Sequence, residues 1–254
     1  MSMGIKKFQK PLVATLAASS LLLTGCEQRF GLPEAATEQG KSVTDLWLFC
    51  MYTAIALGTL VFFLLFYSLI RHRRRNNDLP KQNEGNTKLE AFYTFIPFVL
   101  VAILFGFGLK VQIEQTELAK DDVRINVTGF QWNWRFQYPD NGVTVVGGPQ
   151  QAGDPTESPN LAEIVLPVNK RARFDLVAAD VNHSFFVPGF LTKRDLIPGI
   201  RNVIEVTPNK PGTYVGHCAE FCGLNHSQMN FRVRVVEQNE YDAWIESKKS
   251  QGQV

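Results

Sequence analysis

The apolar positions divide the chain into two regimes. Residues 12–23 form a short apolar run after Lys6, Lys7 and Lys10. Two longer runs follow, 46–70 (LWLFCMYTAIALGTLVFFLLFYSLI) and 92–113, and the first contains no charged residue. Each matches the ~20 residues that cross a bilayer as a helix. Pro97 lies in the second run, where neighbouring helices can satisfy the backbone groups it frees. From Val123 the pattern becomes short alternating stretches broken by Pro, Gly and Asn: RINVTGFQWNWRFQYP, AEIVLP, ARFDLVA, NVIEVT, GTYVGH and NFRVRVV. Such spacing predicts a small β-sandwich or Greek-key barrel. Two residues apart, Trp132 and Trp134 are expected on one face of a strand. Residues 140–160 are rich in turn formers and read as a variable loop. In NEYDAWIESKKS, Tyr241, Trp244 and Ile245 share one helical face, which predicts a short C-terminal helix packed on the sandwich. No internal repeat is present.

Charge gives these elements a direction. The first long run ends at RHRRR, residues 71–75. A basic cluster beside a spanning helix marks its cytoplasmic end, so the two spans form a hairpin with both chain ends outside. The basic start, the short apolar run and LTGC before Cys26 read as a secretory signal, and Thr24–Gly25–Cys26 resembles the lipobox of bacterial lipoproteins. That resemblance implies cleavage before Cys26 and acylation of its thiol; an uncleaved apolar helix with an incidental cysteine is the alternative. The expected organisation is a signal segment 1–25, an extracytoplasmic segment 26–44, spans 45–70 and 90–114, a cytoplasmic loop 71–89, and an extracytoplasmic domain 115–254. Net charge +2 and pI near 8.3 give no argument for nucleic acid, since the membrane already explains the basic cluster.

The chemistry sits in GHCAEFCGLNHSQMNF, residues 216–231. Cys50 lies within the first span as a small apolar residue, which leaves Cys218 and Cys222 as the cysteines of the outer domain. A disulfide would account for neither His226 nor Met229. Zinc has little use for a thioether. Thiolate, imidazole and thioether together on a β-sandwich point to copper, and two thiolates from one loop suggest a pair of bridged metals. A second imidazole must then come from elsewhere. The chain has four histidines. His72 is expected in the cytoplasm and His217 turned away beside Cys218, which leaves His183, in an inter-strand loop.

These segments resemble subunit 2 of cytochrome c oxidase, the copper A subunit of haem-copper oxidases. The resemblance covers most of the chain: two spans, LEAFYTFIP, FQWNWRFQYP, DVNHSFFVP with KRDLIPG, and HCAEFCGLNHSQM. It implies a two-helix transmembrane hairpin followed by an all-β cupredoxin-like Greek-key sandwich. It further implies a binuclear copper A centre held by Cys218, Cys222, His183 and His226, with Met229 and the Glu220 carbonyl as weak ligands. The Glu220 side chain would share a magnesium ion with subunit 1. Trp132 would receive electrons from cytochrome c, Trp134 would be structural, and Glu90 would sit near the mouth of a proton pathway in subunit 1. Subunit 1, subunit 3 and the lipid bilayer are the implied neighbours, in a bacterial plasma membrane, with oxygen reduction and proton pumping in subunit 1. Residues 120–254 hold 15 acidic and 14 basic residues. That balance provides no strong field to steer a basic soluble donor and suggests a membrane-tethered cytochrome c within a supercomplex. Two rivals are a quinol-oxidase relative, which would lack the copper ligands, and a copper-delivery protein, which would need neither His226 and Met229 nor a hairpin. In a third, a purely structural lipoprotein, the ligand cluster would be coincidence.

Overall fold

The computed structural model of the chain describes residues 29–76, 82, 84–148, 158 and 160–251. The signal segment 1–25 and Cys26 lie outside them. Helix α1 runs Glu38–Arg71 and helix α2 runs Thr87–Thr116. At ~1.5 Å per residue they are roughly 50 and 45 Å long, against ~30 Å of hydrocarbon, so both project beyond the apolar layer. Helix α1 begins at Glu38, ahead of its apolar run, because Thr37 caps it: Thr37 Oγ1 accepts the Gly40 amide at 2.9 Å. Gly40 is the one buried residue of α1, and α2 has none. Phe62, Phe98 and Phe105 point away from the protein. A helix apolar on every side and covered by nothing calls for hydrocarbon or partner helices around it. Phe49 and Phe107 join the pair, their ring centroids 5.1 Å apart.

Beyond the helices lie strands β1 (Val123–Phe130), β2 (Asn133–Tyr138), β3 (Val143–Val146), β4 (Ala162–Pro167), β5 (Ala172–Ala178), β6 (His183–Val187), β7 (Thr192–Leu196), β8 (Asn202–Val206), β9 (Gly212–Cys218) and β10 (Asn230–Val236). They form two five-stranded sheets, ordered β3-β2-β1-β5-β8 and β4-β10-β9-β6-β7. The pairs β1/β5 and β4/β10 are parallel, and the other paired strands are antiparallel. This is the cupredoxin-like sandwich. Helix α3 (Gln238–Ser250) closes one end and buries Tyr241, Trp244 and Ile245, the expected face.

Three details differ from the sequence expectation. FQWNWRFQYP is not one strand: β1 turns back at Gln131–Trp132, so Trp134 is fully buried in β2 while Trp132 sits half-buried in the turn. Alternating strand pattern cannot reveal such a turn without Gly or Pro at its apex. His183 opens β6 rather than sitting in a loop. The start of the variable loop folds as β3, whose Val143 and Val145 join the core.

Alternation builds that core. Val123, Ile125 and Val127 of β1 and Phe231, Val233 and Val235 of β10 point inward and share one buried cluster. Its aromatic centre is Trp134, Phe136, Phe185 and Phe231, with Phe185 and Phe231 stacked at 4.8 Å. Gly216 is essential beside them, because a Cβ there would overlap the Phe231 ring. The rigid aromatic floor lies directly under the end of β9, where Cys218 begins the ligand loop.

The sandwich is fastened to both helices. Ala36 N donates to Gly189 O at 2.8 Å, Thr37 Oγ1 to Phe190 O at 3.1 Å, and Asn209 N to Ala36 O at 2.9 Å. At the end of α2, the buried Glu205 carboxylate accepts from Ala119 N at 3.0 Å and from Arg171 Nε at 2.6 Å. Arg171 also donates to Glu117 O at 3.0 Å.

Candidate metal centre

Four segments bring the donors together. His183 starts β6, Cys218 ends β9, Cys222 lies on the following loop, and His226 opens a single 3-10 turn, His226–Gln228, that leads through Met229 into β10. Backbone bonds hold the loop closed: Cys218 N donates to Met229 O at 2.9 Å and Ala219 N to Ser184 O at 3.1 Å. Cys218, Cys222, His183 and Met229 are buried.

The two sulfurs stand 3.8 Å apart, far beyond the ~2.05 Å of a disulfide. His183 Nδ1 lies 3.8 Å from Cys218 Sγ, and His226 Nδ1 lies 3.5 Å from Cys222 Sγ. Met229 Sδ is 3.7 Å from Cys222 Sγ, and the Glu220 carbonyl oxygen is 3.2 Å from Cys218 Sγ. Sulfurs held tetrahedrally at ~2.3 Å from a metal stand roughly 3.8 Å from each other and roughly 3.5 Å from a nitrogen ligand. The donors therefore already stand at ligand spacing. The ligand atoms of His183, Cys218 and Cys222 all lie within 4.8 Å of one another.

Electrostatics asks for a cation. Burial pushes the Cys222 thiol up, and a charge on Cys218 pushes it further. Burial acts upward on Cys218 too, but contacts with His183 and with the backbone at Ser184 and Glu220 outweigh it and hold this thiol low. One thiolate is thus favoured and the second opposed, until a bound positive charge compensates both.

Sequence reasoning missed the residues that orient the donors. Asp180 Oδ1 accepts from His183 Nε2 at 2.8 Å, which leaves Nδ1 bare toward the sulfurs. Asp180 is itself fixed by the amides of Gln131 and Val181, each at 2.7 Å. The signal was present as D-x-x-H in ADVNHSF. Gly129 admits the ring, since a Cβ there would lie 3.2 Å from His183 side-chain atoms. On the other side, Gln131 Nε2 and Trp132 Nε1 both donate to Cys222 O, at 2.8 and 3.1 Å. Gly223, at φ +115°, leaves room for both. The buried Trp134 donates to Met229 O at 3.2 Å.

The remaining candidates sit apart from the cluster. His217 packs edge-on against Phe186 at 5.0 Å and stays outside the donor set. Glu220 is half-buried, and its carboxylate makes no hydrogen bond or ion pair among the described residues. Glu90 lies in the first turn of α2, where it accepts the Asn86 amide at 3.2 Å.

Both parts of the chain match known proteins. Residues 123–236 match the family described as cytochrome c oxidase subunit II, periplasmic domain, and residues 25–111 match cytochrome c oxidase subunit II, transmembrane domain. The chain belongs to the cytochrome c oxidase subunit II family. Cytochrome c oxidase subunit 2 of Mycobacterium tuberculosis is 34% identical over 301 residues, covering 94% of this chain and 82% of that protein. The same subunit of Cereibacter sphaeroides is 30% identical over 266 residues, covering 94% and 88%. The crystal structure of the periplasmic domain of subunit II of the Bradyrhizobium japonicum cytochrome oxidase superposes with a TM-score of 0.50 at 38% identity, covering 53% of this chain and 99% of that one. Membership in the subunit II family explains hairpin and sandwich together, which a copper-delivery protein would not. With two thiols, imidazoles and a thioether at ligand spacing, this subunit II domain fits a copper centre.

Proposed function

We propose that this chain is the electron-accepting subunit of a haem-copper terminal oxidase, with a binuclear copper A centre held by His183, Cys218, Cys222, His226, Met229 and the Glu220 carbonyl. One observation carries the reading: each of two thiols 3.8 Å apart has its own imidazole, His183 on Cys218 and His226 on Cys222. A single tetrahedral ion would not need the thioether and carbonyl that flank the pair as well. When bound, the copper pair supplies a one-electron store with its charge spread over both metals. The chain's part is to keep the donors still. The aromatic floor and the Asp180 carboxylate fix His183, the closed loop fixes the sulfurs, and burial keeps water from them.

Trp132 is where electrons arrive from cytochrome c. Its half-buried ring reaches the surface while its Nε1–H joins the Cys222 carbonyl directly. Trp134 is structural. The unpaired Glu220 carboxylate suits magnesium shared with subunit 1, and the strongly exposed Phe221 and Leu224 on the same loop suit a protein contact there. Oxygen reduction and proton translocation belong to subunit 1, with subunit 3 a further neighbour and Glu90 at the mouth of a proton pathway. The subunit lies in a bacterial plasma membrane with both termini outside, anchored by an acylated Cys26. The near balance of charge on the outer domain favours a membrane-tethered cytochrome c in a supercomplex; electron arrival that depends steeply on ionic strength would count against that donor.

The test is a metal count and an electron paramagnetic resonance spectrum on the oxidase purified with its partner subunits. Two coppers per chain sharing one unpaired electron are expected, and Cys218→Ser and Cys222→Ser are each expected to abolish the shared signal and turnover. One copper, or zinc, would overturn the proposal.

A further inference from the structure

Between α1 and α2, at the end nearest the sandwich, lies a cleft of about 320 Å³. Its floor is the Phe49–Phe107 ring contact, and Leu46 and Val111 form its walls. Asp45, Lys110 and Glu114 form its rim. On α1, Phe49 is four residues past Asp45; on α2, Phe107 precedes Lys110 by three. One helical turn of ~5.4 Å therefore separates the polar layer from the apolar one on both helices. Asp45 immediately precedes the uncharged run and Lys110 closes the second, so the rim stands at headgroup level and the floor in hydrocarbon.

The charges on the rim select among occupants. Lys110 Nζ pairs loosely with Glu114 Oε1 at 3.8 Å, while the exposed Asp45 carboxylate has no ion pair among the described residues. Two carboxylates and one ammonium thus edge an apolar slot. An anionic headgroup would satisfy Lys110 but meet Asp45 and Glu114 with like charge. A partner helix could also set a basic side chain at this level, and a complex that holds no lipid is the result it would give. A phosphate beside a primary ammonium satisfies all three rim groups, and its acyl chains continue the apolar layer below.

We infer that this cleft binds one outer-leaflet phospholipid whose headgroup carries a primary ammonium, with its phosphate toward Lys110, its amine toward Asp45 and Glu114, and its chains over Phe49 and Phe107. The inference rests on the extracytoplasmic orientation proposed above. It adds a lipid site that shares no residue with the metal centre.

Native mass spectrometry of the whole oxidase complex tests it, after exchange into bilayer discs of phosphatidylethanolamine, phosphatidylglycerol or phosphatidylcholine. One retained phosphatidylethanolamine per complex is expected. Phosphatidylcholine, whose amine cannot donate hydrogen bonds, is expected to be held more weakly, and phosphatidylglycerol more weakly still. Asp45→Asn and Lys110→Gln are each expected to lower retention roughly tenfold, the scale of one charge-assisted hydrogen bond. Copper content on the same samples is expected to stay unchanged, and it reports separately on the metal-centre reading. A complex holding no lipid, equal retention of the three headgroups, or retention indifferent to both variants overturns the inference.

Discussion

Asp180 offers the sharpest test of how the protein prepares its metal centre. It touches no sulfur, yet it decides which nitrogen His183 presents. Replacing it with alanine removes the 2.8 Å bond to Nε2 and strands the amides of Gln131 and Val181. The ring, buried against Trp134 at a centroid distance of 6.3 Å, then keeps its position but loses its tautomer bias. Outer partners of metal-bound histidines are worth about 10–100-fold in affinity, or roughly 1.4–2.8 kcal/mol. The Asp180 side chain is 33% exposed, so water can replace part of what it gives, which sets the expectation nearer tenfold. Asp180→Asn retains an oxygen that can accept from Nε2 and should cost less than Asp180→Ala. Copper retention against a graded chelator measures the affinity, and the resonance spectrum measures how evenly the unpaired electron is shared. If Asp180→Ala holds copper and keeps the spectrum of the parent, or if Asn damages the centre as much as Ala, the tautomer argument fails.

Other expectations are as direct. Met229→Leu keeps the buried volume but removes the thioether 3.7 Å from Cys222 Sγ; the spectrum should shift while both coppers remain, and loss of a copper would refute the weak-ligand role. Trp132→Phe deletes the bond to Cys222 O, so reduction by cytochrome c should slow with copper content and spectrum intact, and an unchanged rate would dismiss this residue. For Asp175, burial acts upward, but hydrogen bonds from Arg124 and Arg173 and the charges of Arg173 and Arg201 outweigh it and hold the carboxyl below its ordinary range. A depressed folded value stabilises the protein fully above the unfolded value of ~3.9, and that stability is lost as pH falls through the folded value. Thermal unfolding of Asp175→Asn followed across this acid range should therefore show a flatter pH dependence than the parent, with lower stability at neutral pH; parallel curves would refute the linkage.

Local patterns were read directly from the sequence and relations between distant segments were not. Cys218, Cys222, His226 and Met229 lie within one loop, so their chemistry was legible as a string, and the runs at 46–70 and 92–113 announce themselves by length. Reaching His183 needed elimination, because nothing in its neighbourhood says which strand lies beside β6. The alternation of Val123, Ile125 and Val127 shows which face turns inward, yet it cannot say that β1 lies parallel to β5. Asp180 was visible three residues before His183, but its role depends on the His183 side chain reaching back to it at 2.8 Å. Nothing in NVIEVT marks Glu205, and only the fold brings Arg171 and Ala119 to it.

Those last contacts bear on function as much as the ligands do. A centre that passes electrons into a neighbouring subunit must be held at a fixed height over the membrane, and a sandwich on a flexible stalk would not be. Here one support reaches a ligand-bearing strand and the other braces the opposite sheet. Thr37 and Ala36, at the start of α1, bond to the turn that follows β6, the strand opened by His183. Gly40 packs so closely there that a Cβ would come within 2.8 Å of Phe190 O. At the foot of α2, Glu205 of β8 ties Ala119 and Arg171 to the opposite sheet. One helix thus anchors each sheet, and the Thr207 amide just past β8, donating to Gln39 Oε1 at 2.8 Å, links the β8 sheet back to α1. Rotation of the sandwich about either attachment would have to break the other. The polar turns at the helix ends, which a bilayer does not require, are used to carry the rigidity of the metal loop down to the membrane.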